Sequence, residues 1–256
     1  MQALRVSLVQ SDLVWQNPTE NLKNFQDKLL KLVDSTDLIV LPEMFTTGFS
    51  MDTSMAQKSS EMGIEWLKSM AQITNAHIMG SMMVKDDNKY FNRLVLASAS
   101  GELEYYDKRH LFSYGHEDKH YTQGQKRLEV EINGWKICPL ICYDLRFPVW
   151  ARNNDEYGLL IYIANWPNTR MFAWNSLLPA RAIENQSYVV GVNRIGSDGN
   201  KLKYSGGSVV YDYQGQKCLD LEGKAAVETI ILEKDDLLNF RIKFPFLMDM
   251  DKFLLV

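Results

Sequence analysis

The chain has 256 residues, of which 46% are hydrophobic and 23% are charged. This composition is typical of a folded globular protein and excludes a disordered or collagen-like chain. Lysines and arginines number 28 against 32 aspartates and glutamates, which gives a net charge of -4 at pH 7. The charge balance therefore does not indicate a nucleic-acid-binding protein. The length permits one large domain or two small ones.

The cysteines and the apolar segments indicate the cellular compartment of the protein. Cys138, Cys142 and Cys218 are too few for a disulfide framework, which favours a reducing compartment such as the cytoplasm. The first residues lack the features of a secretory signal, and no apolar run approaches the roughly 18 residues that cross a bilayer. We expect a cytoplasmic protein without a membrane-inserted segment.

The first third of the chain predicts strands and helices in alternation. In chain order the predicted elements are a strand over 4–9, a helix that begins at Pro18, a strand over 37–41, a helix over 61–75 and a strand over 77–84. Asn17 is suited to cap the first helix because its side chain can accept a hydrogen bond from the first turn. This part of the chain is therefore predicted to fold in the order β-α-β-α-β.

The rest of the chain contains more turn signals. Asn133-Gly134 predicts a tight hairpin because both residues tolerate the positive φ of a type I′ turn. The predicted elements are strands over 94–96, 103–106, 128–132, 135–137 and 159–163, a helix over 172–186, and strands over 188–193, 208–213 and 225–232. Because no linker or repeat interrupts this order, we predict one α/β domain over 1–256, with mixed sheets covered by helices.

Three of the predicted strands end next to a chemically able side chain. Glu43 follows the strand over 37–41, Lys108 follows the strand over 103–106, and Cys142 follows the strand that begins at 135. Ligands of α/β proteins bind beyond the carboxyl ends of strands, so these side chains can converge although they are far apart in the chain. The sequence therefore predicts a pocket that holds a carboxylate, an ammonium group and a thiol.

This trio has a chemical use. A cysteine thiol is mostly protonated near neutral pH, so a nucleophilic cysteine requires a base or a nearby cation. Glu43 is suited to take the proton of Cys142, and Lys108 to stabilise the thiolate and the oxyanion of a tetrahedral intermediate. The spacing alone also allows Glu43 and Lys108 to be ordinary surface charges.

Three sequence motifs surround these residues. Glu43 lies in LPEMF (41–45), Lys108 in YDKRHLF (106–112) and Cys142 in ICYDLRFP (141–148). Their order and spacing resemble the Glu-Lys-Cys motifs of the nitrilase superfamily of carbon-nitrogen hydrolases. The resemblance extends from the first strand to beyond Tyr213 and implies a four-layer α-β-β-α sandwich that needs no cofactor.

The resemblance also implies further features of the chain. Members of the superfamily carry a second glutamate about 25 residues before the nucleophile, and Glu117 matches that position. They pair as homodimers, and the apolar C-terminal segment 244–256 is expected to pack at the dimer interface. Other segments resemble the bacterial omega-amidase branch: YDLRFPVW (143–150), ANWP (164–167) and ARAIENQ (180–186).

Omega-amidases hydrolyse the terminal amide of 2-oxoglutaramate or 2-oxosuccinamate to the 2-oxo dicarboxylate and ammonia. By this resemblance, Cys142 attacks the amide carbon after Glu43 takes its proton. Lys108 and the backbone N–H of Tyr143 hold the oxyanion, and Glu117 orients Lys108 or the substrate amide. The expected partner is thus a small-molecule amide.

Arg170 is the residue that we expect to bind the substrate carboxylate, since arginine can bind a carboxylate with two hydrogen bonds. Arg146 and Arg181 lie in segments predicted to be helical, where a structural ion pair is the commoner use of an arginine. The apolar walls of the pocket are predicted to be Phe45, Tyr114 and Trp166.

Other interpretations remain open at this stage. His110, His116 and His120 cluster in the sequence, but their spacing fits no common zinc motif, so we expect no metal site. The same catalytic trio also fits hydrolysis of an N-carbamoyl amide or an aliphatic amide. A third interpretation is a non-catalytic binding protein, although such a protein would not need nucleophile, base and cation together.

Overall fold

A computed structural model describes residues 3–253 of the chain. The strands are, in chain order, β1 Ala3–Gln10, β2 Leu38–Val40, β3 His77–Asp86, β4 Lys89–Ala97, β5 Leu103–Asp107, β6 Val130–Ile132, β7 Trp135–Ile141, β8 Leu159–Ala164, β9 Tyr188–Asn193, β10 Ile195–Ser197, β11 Lys203–Ser205, β12 Val209–Tyr211, β13 Lys217–Asp220 and β14 Ala226–Glu233. The helices are α1 Pro18–Leu29, α2 Ala56–Thr74, α3 Glu117–His120, α4 Met171–Asn185 and α5 Lys234–Lys243.

The strands form two mixed sheets with related topology. The first has the order β14-β1-β2-β3-β4-β5 and the second β13-β12-β9-β8-β7-β6, while β10 and β11 pair as a separate hairpin. Three neighbouring strands are parallel in each sheet, β1 to β3 in the first and β7 to β9 in the second. Strand β14 follows the second sheet in the chain but pairs with β1 of the first. The chain therefore closes on itself as a single domain, as predicted.

A shared hydrophobic core fills the space between the two sheets. Leu38 and Val40 of β2 belong to the same buried cluster as Ile161 of β8. Ile39 lies between them in the chain and packs with Phe25 of α1 in a second cluster on the opposite face. This alternation follows from the period of two along a strand. Helices α1 and α2 therefore cover the outer face of the first sheet.

Helix α4 covers the outer face of the second sheet. Gly191 of β9 lies beneath it, and a Cβ at this position would be 2.7 Å from side-chain atoms of Leu178 and Trp174. The absence of a side chain thus permits the helix to approach the strand closely. The layers run in the order helix, sheet, sheet, helix, which confirms the α-β-β-α sandwich implied by the resemblance.

Local signals in the sequence located most elements correctly. The Asn17 side chain accepts a hydrogen bond from the Glu20 N–H at 3.2 Å, which confirms the predicted helix cap. Asn133 and Gly134 have φ values of 49° and 76°, as a type I′ turn requires. Helix α2 begins at Ala56, five residues before the predicted start at 61. The sequence did not reveal this start because Ala56 is the only apolar side chain in the first five residues of the helix.

The β10–β11 hairpin and helix α5 escaped the sequence-based prediction. Each strand of the hairpin has only three residues, too few to show a period of two. In α5, Leu237 is the buried residue, so the helix presents no apolar stripe that a periodicity could reveal. No helix within residues 3–253 is long and apolar enough to span a membrane.

The C-terminal segment lies close to the end of α4. The Gln186 side chain donates a hydrogen bond to the Phe244 carbonyl at 2.7 Å. A short helical turn follows over Phe246–Asp249. Residues 254–256 of the predicted segment 244–256 lie outside the described residues.

Candidate active site

The side chains of Glu43, Lys108 and Cys142 meet in one cavity of about 600 Å³. Glu43 follows β2 and Lys108 follows β5, both in the first sheet, whereas Cys142 follows β7 in the second sheet. The cavity therefore lies where the two sheets meet, beyond the ends of their strands.

Lys108 is a fully buried cation between two carboxylates. Its Nζ lies 2.8 Å from Oε1 of Glu43 and 3.0 Å from Oε2 of Glu117, and none of the three side chains is exposed to solvent. Burial alone would lower the pKa of Lys108, but the charges of Glu117 and Glu43 outweigh burial and raise the pKa above its usual range. Lys108 is therefore an ammonium group at all physiological pH values.

Glu43 is held in place by groups from both sheets. Its Oε1 accepts hydrogen bonds from Lys108 and from the Asn92 side chain of β4, each at 2.8 Å. Its Oε2 accepts the backbone N–H of Asn165, just after β8, at 2.8 Å. The Asn165 side chain also donates to the Glu43 carbonyl at 2.6 Å. These contacts leave the carboxylate little freedom to turn away from the cavity.

Glu117 is buried rather than solvated, although it belongs to a short helix in a long connection. Its Oε2 accepts the Phe112 N–H at 2.6 Å, and its Oε1 accepts from Asn92 at 3.0 Å. Burial raises the pKa of Glu117 above its ordinary value, and the positive charge of Lys108 opposes that increase. Glu117 thus fixes Lys108 together with Glu43.

Cys142 begins a helical turn, Cys142–Arg146, directly after β7. Its φ of 44° is a left-handed conformation that a residue with a side chain seldom adopts. Burial and the adjacent Glu43 carboxylate raise the pKa of the Cys142 thiol well above its ordinary value, and the charge of Lys108 opposes the increase. The resting side chain is therefore a thiol beside the Glu43 carboxylate, and it requires a base to become a nucleophile.

The structure places most of the predicted wall residues at the cavity but corrects one. Trp166, Tyr114 and Arg170 line the cavity, as does Tyr143 beside the thiol. The prediction for Phe45 is wrong: its ring is fully buried on the outer side of the first sheet, packed edge-on against Phe25 at 5.9 Å between ring centroids.

The aromatic side chain that this loop does contribute to the cavity is Phe49. The Lys108 ammonium lies 5.1 Å from the centroid of its ring.

Two arginines lie at the cavity, and neither forms an ion pair within residues 3–253. The Arg170 guanidinium carbon is 4.8 Å from the Phe112 ring centroid, and that of Arg146 is 5.1 Å from the Trp166 ring centroid. The expected structural ion pair of Arg146 is therefore not formed within the described residues. For Arg181 it is confirmed, since Nη1 of Arg181 lies 3.0 Å from Oε1 of Glu184.

Sequence analysis missed several residues of the site. Asn165 directly follows an apolar strand, so the pattern that identified Glu43 and Cys142 could also have identified it. Asn92 is a single polar residue within a strand, which is a weak signal. The β10–β11 hairpin also contributes to the wall through Leu202 and Tyr204, and the Tyr204 hydroxyl donates to Asp198 at 2.9 Å.

The histidines near the site take no part in a metal cluster. Within residues 3–253, no group of three or more histidine, cysteine or acidic side chains is arranged to hold a metal ion. His110 instead contacts the carboxylate of Asp144, with 2.8 Å between Nδ1 and Oδ1.

Comparison with known proteins identifies the family. The sequence profile of the carbon-nitrogen hydrolase family matches residues 5–235. The chain is 43% identical to the omega-amidase YafV of Escherichia coli (strain K12), with 99% of each chain covered. It is 34% identical to the 2-oxoglutaramate amidase of Bacillus subtilis (strain 168), with 82% of this chain and 83% of that protein covered.

A solved structure agrees with these sequence matches. XC1258 from Xanthomonas campestris, described as a CN-hydrolase superfamily protein with an arsenic adduct in the active site, superimposes with a TM-score of 0.98 at 41% identity. Both chains are covered completely. The chain therefore belongs to the carbon-nitrogen hydrolase family, within the nitrilase superfamily, and is a hydrolase of carbon-nitrogen bonds.

Proposed function

We propose that the protein is an omega-amidase, which hydrolyses the terminal amide of 2-oxoglutaramate or 2-oxosuccinamate to the 2-oxo dicarboxylate and ammonia. The observation that carries this proposal is the buried Lys108, paired with Glu43 and Glu117 beside Cys142, in a cavity that also presents two arginines without ion-pair partners in the described chain. The similarity to proteins named omega-amidase and 2-oxoglutaramate amidase supports the same substrate class.

The first half of the reaction forms a thioester. Sγ of Cys142 attacks the amide carbon while its proton passes to Glu43, the carboxylate beside the thiol in the same cavity. Negative charge develops on the former carbonyl oxygen, which Lys108 and the N–H of Tyr143 stabilise. The supporting observations are that both residues line the cavity and that N–H groups in the first turn of a helix have no partner within it.

The first tetrahedral intermediate then collapses to the thioester, which water hydrolyses. Glu43 donates its proton to the leaving nitrogen, the carbon-nitrogen bond breaks and ammonia departs. Glu43 then takes a proton from a water molecule, whose oxygen attacks the thioester carbon. The second tetrahedral intermediate collapses to the carboxylic acid, and the Cys142 sulfur leaves and recovers its proton. Glu117 keeps Lys108 in position throughout by accepting hydrogen bonds at 3.0 and 3.1 Å.

The substrate carboxylate binds to the arginines. Arg170 and Arg146 both line the cavity: the Arg146 guanidinium lies over Trp166, and the Trp166 side chain donates to the backbone carbonyl of Arg170 at 2.8 Å. Two guanidinium groups can bind a carboxylate and the adjacent 2-oxo oxygen through charge-assisted hydrogen bonds. A 2-amino group would bring a positive charge to the same place, so the site favours a 2-oxo acid amide over glutamine.

We also propose a homodimer that buries an apolar surface of α4, α5 and the C-terminal segment. Phe172 is 87% exposed, Ile242 78% and Met248 84%, and such side chains are seldom left in water without a partner. We expect a second copy of the chain to cover this surface, because the resemblance to the nitrilase superfamily implies a dimer interface at the C-terminal segment. A reducing compartment such as the cytoplasm fits the requirement that Cys142 remain a free thiol.

The substrate class is tested by ammonia release from 2-oxoglutaramate, glutamine and an N-carbamoyl amine. We expect kcat/KM to be highest for 2-oxoglutaramate and at least about tenfold lower for glutamine, because of repulsion between its ammonium group and the arginines. Cys142→Ala should abolish turnover, whereas Cys218→Ala, at an exposed position, should not. A preference for the N-carbamoyl amine, or activity in Cys142→Ala, would contradict the proposal.

The role of Glu43 is tested by Glu43→Gln. We expect turnover to fall by about 10² to 10⁴, the usual contribution of a general base. Removal of its negative charge should also lower the pKa of Cys142, so that alkylation by iodoacetamide reaches half of its maximal rate at a lower pH than in the wild type. Glu65→Gln, on the exposed face of α2, is the control and should change neither quantity. An unchanged or higher midpoint in Glu43→Gln would exclude this role.

Binding of the substrate carboxylate is tested by Arg170→Gln and Arg146→Gln. Each should raise KM for 2-oxoglutaramate by about 10- to 100-fold, which corresponds to the loss of a charged hydrogen bond. KM for butyramide, an amide without a carboxylate, should change little. Arg5→Gln disrupts an ion pair with Asp37 instead and serves as the control. Equal effects on both substrates would show that the arginines do not recognise the carboxylate.

The dimer is tested by removal of residues 245–256 and, separately, by Met248→Asp. Both changes should shift the sedimentation coefficient towards that of a monomer, because they remove or charge part of the apolar surface. Leu30→Asp alters an exposed leucine next to α1, on the opposite outer layer, and should leave the dimer intact. Dimers of unchanged stability in both C-terminal variants would place the interface elsewhere.

A further inference from the structure

Asp144 is a fully buried carboxylate two residues after Cys142. Its Oδ2 accepts hydrogen bonds from the Tyr106 hydroxyl at 2.7 Å and from the Ile141 N–H at 3.0 Å. Its Oδ1 contacts the backbone N–H of His110 at 3.0 Å and the ring Nδ1 of His110 at 2.8 Å. Because a carboxylate only accepts hydrogen bonds, His110 carries a proton on Nδ1.

These contacts connect two parts of the site that belong to different sheets. Tyr106 and His110 flank Lys108 in the segment at the end of β5, in the first sheet. Ile141 is the last residue of β7, in the second sheet, and immediately precedes Cys142. Asp144 therefore ties the segment that carries the cation to the turn that carries the nucleophile.

The turn needs such support because its backbone is strained. The left-handed φ of Cys142 persists only if surrounding contacts hold it. The bond from the Ile141 N–H to Asp144 closes the turn across Cys142, and the Phe147 N–H bonds to the Asp144 carbonyl at 3.0 Å. Both ends of the strained segment are thus fixed by Asp144.

The surroundings of His110 keep it rigid. Its ring stacks on Phe147, with 3.8 Å between ring centroids and an interplanar angle of 4°. The Tyr106 hydroxyl oxygen accepts a hydrogen bond from the Trp150 indole at 3.0 Å, while its hydrogen is donated to Asp144. The pKa of Tyr106 is raised well above its ordinary value by burial and by the Asp144 charge, so this hydroxyl stays protonated.

We propose that Asp144 and His110 are positioning residues that fix the Cys142 sulfur relative to the Lys108 ammonium, and so assemble the oxyanion site across the junction of the two sheets. The inference rests on the proposed amidase function and extends it to residues that lie outside the reacting groups. Neither residue exchanges a proton with the substrate. Their contribution is geometric, and a displacement of about 1 Å at a reacting centre can cost roughly 10²-fold in rate.

The experiment compares Asp144→Asn, His110→Ala and His110→Asn. An amide at position 144 replaces one acceptor oxygen by a donor, which then faces fixed N–H or O–H groups. His110→Ala removes the ring contact, whereas the amide of His110→Asn can place a donor near the position of Nδ1. We expect kcat for 2-oxoglutaramate to fall about 10- to 100-fold in the first two variants with KM nearly unchanged, and to recover in His110→Asn.

Alkylation of Cys142 by iodoacetamide gives a second readout that does not depend on turnover. The charges that act most strongly on the thiol are those of Glu43, Lys108 and Glu117, and of these only Lys108 favours the thiolate. All three residues belong to the first half of the chain and together carry one negative charge, so a looser link between the sheets moves the thiolate away from a net repulsion. The pH at half-maximal alkylation should therefore fall in Asp144→Asn and His110→Ala, in the same direction as the expected effect of Glu43→Gln.

Asp37→Asn is the matched control. Asp37 also accepts a backbone N–H and a side-chain donor, both from Arg5, but the pair lies at the start of β1 and β2, away from the site. Should Asp144→Asn fail to fold, the two His110 variants decide the question, since the side chain of His110 is 23% exposed.

The proposal is overturned if kcat falls no more than in Asp37→Asn, if the alkylation midpoint does not fall, or if His110→Asn is no better than His110→Ala. If the wild type hydrolyses none of the amides, the proposed function fails, and the alkylation midpoints still decide the positioning role.

Discussion

The site depends on the burial of one lysine between two carboxylates. Removing an ion from water costs several kcal/mol unless partners replace its hydration, and Lys108 is stable in the interior because Glu43 and Glu117 both contact Nζ. The arrangement keeps one excess negative charge beside the thiol. That charge raises the pKa of Cys142 and, in the proposed mechanism, makes Glu43 the acceptor of its proton.

The two sheets divide the chemistry between them. The first half of the chain supplies Glu43, Lys108 and Glu117, and Asn92 of β4 donates to both glutamates. The second half supplies Cys142, at the end of β7. Polar contacts join the halves beside the site. Asn165 binds Glu43, and Asp144 binds the segment that follows Lys108. The shared apolar core fixes the distance between the sheets, and these polar contacts fix the alignment of the groups at their edges.

Sequence patterns located the catalytic candidates better than the walls of the cavity. Glu43, Lys108 and Cys142 each follow a predicted strand, so their position could be predicted from local order alone. Phe45 could not be assigned in this way, because the loop after Glu43 turns its ring back into the outer core. The cavity position of Arg146 could likewise not be assigned, since a helical segment does not reveal whether an arginine faces a neighbouring carboxylate or an open cavity.

The sequence by itself determined the alternation of strands and helices, the capped start of α1, the hairpin at Asn133-Gly134 and the family, because these depend on residues close together in the chain. Only the tertiary structure decided which polar side chains would be buried together. The sequence left Lys108 open as an ordinary surface charge, whereas in the folded chain it has no contact with solvent. The physical reason is that pairing of buried charges is set by contacts between distant segments, such as the 65 residues that separate Glu43 from Lys108.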